Sequence, residues 1–187
     1  MNQLCIRVLD IVFSIIGLIV SLPVLFLLLI VGWFYTRSPV FRQRRVGRDQ
    51  KSFTLVKFRT MRKDTAHVAT HLAAESSVTP FGKFLRRTKL DELPQLWNVL
   101  KGDMSLVGPR PCLESQHELI EARNKLNVFS VRPGITGLAQ VNDIDMSTPE
   151  LLAETDAKMI ASFSVKQYFY LIFLTLTGKG AGDRIRK

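Results

Sequence analysis

The feature that most constrains this fold is an uncharged apolar run near the N-terminus. Residues 11–35 contain no charged side chain over 25 positions. That length is sufficient for a membrane helix and too long for the apolar core of a signal peptide. No small-residue cleavage site follows the run, whereas several arginines do. The sequence therefore predicts a retained membrane segment, residues 1–36, followed by a second domain, residues 37–187.

Pro23 lies almost at the centre of this run. A proline inside a helix removes one backbone donor, so we expect a bend there, with the Ser21 hydroxyl serving a freed backbone group. Each half would be roughly 18 Å long, shorter than the roughly 30 Å hydrocarbon core. Two such arms would enter and leave through one membrane face, whereas a gently bent helix would still cross. These dimensions leave both topologies open.

Positive charge is concentrated directly after the apolar run. The net charge is +10, and the stretch from Arg37 to Lys63 holds ten Lys or Arg residues and a single acid, Asp49. Such a block favours the cytoplasmic side and attracts anionic membrane lipids, by about 1 kcal/mol per residue near the surface. For the outermost residues a solvated basic face is the alternative. Few aromatic residues are interleaved and no nucleic-acid motif occurs, so we do not expect nucleic acid as a partner.

The remaining pattern predicts an α+β, mostly helical domain with a short β element. Residues 53–61 alternate well enough for a strand. Thr79 and Pro80 predict the start of a basic amphipathic helix, which suits either the membrane interface or a soluble core. Pro133-Gly134 suits the centre of a type II turn. Apolar residues at helical spacing predict a further core-facing stripe, formed by Leu93, Leu96, Trp97 and Leu100.

The segment Leu90-Asp91-Glu92-Leu93-Pro94 is the most informative for chemistry. Pro94 cannot lie deep in a helix, so a helix should begin at or just before it, with Asp91 and Glu92 at its N-terminus. The helix dipole there stabilises ionised carboxylates and attracts phosphate. Two adjacent carboxylates suit a Mg²⁺ ion bridged to a substrate phosphate, or a nucleophile. An acidic pair at a helix start is more often structural, so these residues alone do not decide.

Several cations are candidates for phosphate contact. Arg110 lies between Pro109 and Pro111, whose restricted backbone suits a guanidinium that presents its fork to phosphate. The other candidates from the basic pattern are Lys57, Arg59 and Arg132, each of which alone is more often a surface charge. His67, His71 and Glu75 have helical spacing for metal ligands, but no fourth ligand accompanies them, so we do not expect zinc.

Taken together, the apolar helix and the segments VFRQRRVG, KFRTM, LDELPQLWNVLKGDMSLVGPRP and VRPGITGLAQV resemble the bacterial sugar transferase family of monotopic phosphoglycosyl transferases. The resemblance runs from about Arg7 to Asp156. It implies a re-entrant N-terminal membrane helix and a small catalytic domain with interfacial amphipathic helices, on the cytoplasmic face of a bacterial inner membrane. One departure is that Leu22 separates Ser21 from Pro23, where the family has adjacent Ser and Pro.

The resemblance also implies the chemistry. Asp91 and Glu92 match the family's catalytic dyad with Mg²⁺, in which the Asp attacks the β-phosphate of a UDP-sugar and releases UMP. Polyprenyl (undecaprenyl) phosphate then accepts the sugar phosphate, the first membrane step of glycoconjugate assembly. The implied substrate-binding residues are Lys57, Pro109, Arg110, Pro111 and Asp156, although Asp156 lacks the Tyr that follows it in relatives.

Three questions remain open at this level. The stretch AHVATHL and the short chain favour an N-acetylated, often deoxygenated sugar. The alternatives to a transferase are a non-catalytic, basic membrane-anchored scaffold and a membrane phosphatase using an aspartyl-phosphate, whose usual Asp-x-Asp motif is absent. The oligomeric state is not indicated by any pattern in the sequence.

Overall fold

The computed structural model of the chain describes residues 3–63, 65 and 77–180, and over these residues the protein is mostly helical with two small sheets. This confirms the expectation of a mainly helical fold with short β elements. In chain order the elements are α1 (Gln3–Thr36), β1 (Val40–Val46), β2 (Ser52–Phe58), α2 (Pro80–Thr88), α3 (Gln95–Lys101), β3 (Ser105–Val107), α4 (His117–Lys125), β4 (Gly134–Thr136), α5 (Leu138–Val141), α6 (Pro149–Ala161) and α7 (Val165–Leu176). Short 3-10 turns lie at Arg48–Gln50, Leu90–Glu92 and Val128–Ser130.

The apolar run forms one continuous helix, α1, of 34 residues. It is the one helix in the described part of the chain that is long and apolar enough to cross a membrane. Helical conformation continues through Pro23. Ser21 donates to the carbonyl of Leu18 at 3.3 Å, whereas Pro23 removes the donor to the carbonyl of Ile19. The serine hydroxyl therefore serves a neighbouring carbonyl and not the one that the proline frees.

Both halves of α1 pack against the rest of the protein. Near its start, the Arg7 guanidinium donates to the carbonyls of Val99 and Leu100, at 2.6 and 2.9 Å. In its second half, Leu28 packs in a buried cluster with Leu85 of α2. The buried residues lie at helical spacing along one face, namely Ile6, Asp10, Ser14, Ser21, Leu28 and Gly32. One face of the helix therefore contacts the domain from Ile6 to Gly32.

The first sheet is an antiparallel hairpin of β1 and β2, in which Val40 pairs with Phe58 and Val46 with Ser52. The predicted strand at residues 53–61 is confirmed in position, although it ends at Phe58. Residues on one face of β2 point into the protein, so that Leu55 is 4% and Lys57 only 7% exposed. Strand alternation thus places a lysine on the buried face of the hairpin.

The second sheet pairs β3 with β4 in parallel, with Ser105 opposite Gly134. The prediction of a type II turn at Pro133-Gly134 was wrong, because Gly134 is the first residue of a strand and does not have positive φ. The glycine is needed for close approach: a Cβ there would lie 2.0 Å from the amide nitrogen of Gly108. This contact fixes the start of the segment that carries Arg110.

The residues of α3 that face the protein interior are not those of the predicted apolar stripe, so that prediction was wrong. Trp97 is 56% exposed, and Leu96 lies against Gly17 of α1. Asn98 is fully buried, and its side-chain amide bonds to the edge of β2 as a neighbouring strand would. It accepts a hydrogen bond from the Val56 amide at 3.0 Å and donates one to the Thr54 carbonyl at 2.7 Å. The buried residues of α3 are Gln95, Asn98 and Val99.

The predicted start of α2 is confirmed. The Thr79 hydroxyl accepts from the amide of Gly82 at 2.9 Å, and Pro80 occupies the first helical position. The apolar side of α2 is divided between two environments, since Leu85 is fully buried while Phe84 is 51% exposed. The helix therefore contributes both to the core and to an exposed apolar surface. The segment with His67, His71 and Glu75 lies outside the described residues.

Candidate active site

Asp91 and Glu92 lie in the 3-10 turn that joins α2 to α3. The turn is set up by Lys89, which ends α2 in the left-handed conformation with φ of 57°, and by Pro94, which caps α3. This confirms the prediction that a helix begins beside Pro94. Asp91 is 6% exposed. The two carboxylates are therefore held by a short, sharply defined backbone segment.

The structure brings Arg110 to this acidic pair. Arg110 Nη2 donates to Glu92 Oε1 at 3.0 Å, and the two side chains are only 22% and 14% exposed. Partial burial makes such a pair stronger than one on an open surface, because water screens it less. Two segments that sequence analysis singled out separately therefore meet at one site.

The Pro109–Pro111 loop is held by its three consecutive carbonyls. Each accepts a hydrogen bond from a different part of the chain: Pro109 from the Gly134 amide at 2.8 Å, Arg110 from Arg123 Nη1 at 2.7 Å, and Pro111 from Arg45 Nη1 at 3.0 Å. The two prolines also restrict φ. The backbone that carries Arg110 is thus fixed before any substrate arrives, which is what electrostatic preorganisation requires.

Arg123 in turn is held by Asp156. Its Nη2 and Nε donate to Asp156 Oδ2 at 2.6 and 3.1 Å, and the side chains are 2% and 0% exposed. Burial raises the pKa of Asp156, and the neighbouring Arg123 guanidinium opposes that shift. The expectation that Asp156 binds substrate does not match this position. Asp156 lies beneath the site and reaches it only through Arg123 and the Arg110 carbonyl.

Lys57 and Arg59 occupy different positions relative to the dyad. Lys57 is buried on β2, the strand that packs against the Leu90–Glu92 turn. Arg59 donates from Nε to the Ser38 carbonyl at 2.9 Å, and its guanidinium lies 5.2 Å from the centre of the Phe41 ring. Burial lowers the pKa of Arg59. Lys57 therefore belongs to the wall of the site, whereas Arg59 is fixed to the segment before β1.

The structure does not bring Arg132 to the dyad. Its Nε donates to the carbonyl of Gly102 at 2.8 Å, and its side chain lines a separate cavity with Arg7 and Arg48. Lys89 is the additional cation of the site, because its charge interacts with those of Glu92 and Arg110. Burial lowers the pKa of Lys89, and Glu92 opposes that shift.

Sequence reasoning missed Arg45 and Arg123, the two arginines that hold the loop. A signal for Arg123 was present: it follows Leu119 by four residues in α4, which places it on the same, buried face of that helix. An arginine on an apolar helix face requires a partner inside the protein. For Arg45 no comparable signal exists, because it lies in a run of similar basic residues.

The carboxylates fit a magnesium ion better than a closed metal site. Among residues 3–63, 65 and 77–180 no group of three His, Cys, Asp or Glu side chains is close enough to hold a metal. Mg²⁺ is commonly bound by one or two carboxylates together with substrate phosphates and water. Asp91 and Glu92 supply that donor set, while a structural zinc site would need four protein ligands.

Comparison with known proteins gives consistent matches. The model of the bacterial sugar transferase family matches residues 1–179. A galactosyl transferase of Streptococcus agalactiae is 36% identical over 185 residues, which cover 91% of this chain and 41% of that protein. A UDP-glucose:undecaprenyl-phosphate glucose-1-phosphate transferase of Xanthomonas campestris is 47% identical over 61% of this chain and 25% of its own length.

A third relative is closer in size. It is a putative undecaprenyl-phosphate N-acetylgalactosaminyl 1-phosphate transferase of Bacillus subtilis, 46% identical over 108 residues, which cover 56% of this chain and 60% of that protein. The chain spans less than half the length of the first two relatives.

Proposed function

The chain belongs to the bacterial sugar transferase family, and we propose that it transfers a sugar 1-phosphate from a UDP-sugar to polyprenyl (undecaprenyl) phosphate with release of UMP. The observation that carries this proposal is the contact between Glu92 and Arg110 beside the enclosed Asp91. A carboxylate nucleophile next to a fixed guanidinium suits attack on a diphosphate, because the cation offsets the repulsion between the carboxylate and the phosphates.

The proposed reaction has two steps. A carboxylate oxygen of Asp91 attacks the β-phosphorus, and the bond from that phosphorus to the bridging oxygen breaks. UMP leaves with the bridging oxygen and its electron pair, so that Asp91 carries the sugar phosphate as an acyl phosphate. A phosphate oxygen of the polyprenyl phosphate then attacks the same phosphorus, the acyl phosphate bond breaks, and the Asp91 carboxylate is restored. The product is a polyprenyl diphosphate sugar.

The surrounding residues have distinct roles in this scheme. Arg110 binds the diphosphate through its guanidinium fork, and Glu92 orients that fork. Lys57 and Lys89 add positive charge to the wall of the site. Asp91 and Glu92 would hold Mg²⁺, which when bound neutralises phosphate charge in a reaction dominated by electrostatic stabilisation.

We further propose that α1 re-enters the membrane and leaves both ends on the side of the catalytic domain. From residue 7 to residue 28 a helix rises roughly 31 Å, as much as the roughly 30 Å hydrocarbon core. Both positions contact the same domain, Arg7 through α3 and Leu28 through α2. A helix crossing the bilayer would carry one of these contacts away from the domain. Exposed apolar residues on α2, α3 and α7 would lie in the same interface, namely Phe84, Trp97, Phe169, Tyr170, Phe173 and Leu176.

The location follows from the same argument. The basic segment after Thr36 favours the cytoplasmic face of a bacterial inner membrane and contact with its anionic lipids. The sugar is proposed to be N-acetylated. The B. subtilis relative named for an N-acetylgalactosaminyl group supports this proposal, and relatives named for glucose and galactose are the competing possibilities.

The test is mass spectrometry of the enzyme mixed with UDP-sugars in the absence of polyprenyl phosphate. The peptide with Asp91 should gain one sugar phosphate, and UMP should appear in equal amount. Asp91→Asn should lose both at nearly constant volume, whereas Asp49→Asn, on an exposed turn, should keep both. UMP release that needs polyprenyl phosphate, with no adduct on Asp91, would contradict the covalent step. Absence of UMP release across a panel of UDP-sugars with acceptor present would leave the scaffold alternative.

A further inference from the structure

A cavity, which we call the basal cavity, lies beside the first two turns of α1 and has a volume of about 330 Å³. Its wall is formed by α1, the turn after β1, the segment before β4 and the end of α6, with Ile6, Arg7, Arg48, Arg132, Met159 and Phe163 among its lining residues. The proposed transferase residues Lys57, Asp91, Glu92 and Arg110 do not line it, although Gly108 and Pro109, directly before Arg110, do. The basal cavity therefore adjoins the loop that carries Arg110 but does not include the acidic pair.

Positive charge dominates this wall. Arg7, Arg48 and Arg132 face a single lining acid, Asp10. Asp10 is 1% exposed, and its Oδ1 already accepts three hydrogen bonds, from Ser105 Oγ at 3.0 Å, the Leu106 amide at 2.9 Å and the Tyr168 hydroxyl at 3.0 Å. The acid is thus committed to the protein interior. It offsets at most one of the three guanidinium charges.

Arg48 and Arg132 retain donors for a ligand, whereas Arg7 donates from both Nη atoms to the carbonyls of Val99 and Leu100. Arg132 uses its Nε for the Gly102 carbonyl, and its Nη groups have no hydrogen bond to the described residues. Arg48 Nε is buried and has no hydrogen bond within the described part of the chain, although it forms an ion pair with the exposed Asp49 at 3.6 Å. Unused guanidinium donors at a cavity wall suit phosphate oxygens, which accept several charge-assisted hydrogen bonds.

The proximity of these cations is itself unfavourable. Burial lowers the pKa of Arg132, and the charges of Arg7 and Arg48 lower it further. Like charges held together beside a partly buried cavity repel each other, and a bound anion would remove that repulsion. The protein fold thus holds an arrangement that an anionic ligand stabilises.

The rest of the wall indicates what accompanies the anion. Apolar side chains line the remainder, including Ile6, Val107, Val131, Met159 and Phe163. The cavity also begins at α1, the apolar helix that we place in the membrane. We propose that the basal cavity binds the phosphate of an anionic diacyl phospholipid taken from the bilayer beside α1. The polyprenyl phosphate acceptor belongs to the proposed transferase site at Asp91 and is not the ligand proposed for this cavity.

The proposal can be tested by binding measurements on the full chain in an uncharged detergent. The probe is short-chain phosphatidic acid, with inorganic phosphate and the matching uncharged diacylglycerol as comparisons. One molecule of phosphatidic acid should bind at least about tenfold more tightly than either comparison. Arg48→Gln and Arg132→Gln should each weaken it about tenfold. Arg42→Gln, which removes the same charge from an exposed strand position, should change it less than about twofold.

Three results would overturn the proposal. Equal binding of inorganic phosphate would mean that the apolar wall contributes nothing. An equal loss in Arg42→Gln would mean that only overall charge matters. Competition by a UDP-sugar, or loss of binding in Asp91→Asn, would make the basal cavity part of the transferase site. Because the probe binding does not depend on turnover, failure of the proposed transferase activity would leave this measurement intact.

Discussion

Asp156 forms a fully buried ion pair with Arg123, and the same guanidinium donates to the carbonyl of Arg110 at 2.7 Å. The Asp156 carboxylate therefore influences the candidate site indirectly. It holds Arg123, and Arg123 holds the backbone of Arg110. The Arg110 side chain in turn contacts Glu92. The orientation of Arg110 consequently depends on a residue that is 46 positions away in the chain and sealed from solvent.

The first prediction tests this chain of contacts. Arg123→Lys keeps the charge opposite Asp156 but loses the forked geometry, so we expect kcat/KM for the UDP-sugar to fall at least about tenfold. Thermal melting and circular dichroism of the same preparation check that the protein folds. Asp156→Asn should be more harmful to stability, by about 3–5 kcal/mol, because it leaves a buried guanidinium without a counter-charge.

A double-mutant cycle separates positioning from a general structural role. If Arg123 acts through Arg110, then Arg123→Lys should have little further effect on kcat/KM in an Arg110→Ala background. Additive losses in the double variant would show that Arg123 supports the fold in general and not the presentation of Arg110.

The second prediction concerns Arg110 itself. Arg110→Lys retains a positive charge near Glu92 but not the planar fork, and we expect turnover to fall at least about tenfold. UMP release from the UDP-sugar is the measurement. Arg44→Lys is the matched control, because Arg44 forms a comparable contact with Glu114 on an open surface. Near-normal turnover in a folded Arg110→Lys variant would reduce Arg110 to a point charge.

The third prediction concerns magnesium. Chelation of divalent cations should reduce UMP release by about two orders of magnitude or more, and added Mg²⁺ should restore it. The physical reason is that the phosphates of the donor substrate would otherwise face the two carboxylates without sufficient neutralising charge. Mg²⁺ should also increase the affinity for UDP-sugar. We expect this increase to be smaller in the inactive Asp91→Asn variant than in the wild type. Full activity after chelation would leave Asp91 and Glu92 without a metal role.

The fourth prediction concerns the topology of α1. Cys5 is exposed and Cys112 is fully buried, so Cys112→Ala leaves one thiol at the start of the helix. With α1 re-entrant, an impermeant maleimide should label Cys5 only after spheroplasts are lysed. A cysteine placed at Lys51 in a background lacking both native thiols marks the catalytic side and should behave identically. Labelling of Cys5 in intact spheroplasts would contradict re-entry and indicate a spanning helix.

Much of the local structure could be predicted because it depends on neighbouring residues. The uncharged run of residues 11–35 predicts a long apolar helix. The Thr79-Pro80 pair predicts a helix start, and Pro94 places Asp91 and Glu92 before α3. In each case the decisive interaction spans only a few positions, so backbone chemistry determines the outcome. The place of Asp91 and Glu92 at a helix start could therefore be predicted from the sequence, whereas their catalytic role is implied by the family resemblance.

Only the tertiary structure determines which cations lie beside Asp91 and Glu92. The sequence proposes Arg110, Arg59 and Arg132 alike as phosphate ligands. In the structure Arg110 contacts Glu92, Arg59 donates to Ser38 and Arg132 lines the basal cavity. Likewise the family resemblance implies Asp156 as a substrate-binding residue, and the structure places it in a buried ion pair with Arg123. Burial and partner choice depend on packing between segments far apart in the chain, and a charged side chain has the same local pattern whether it meets solvent, substrate or a buried partner.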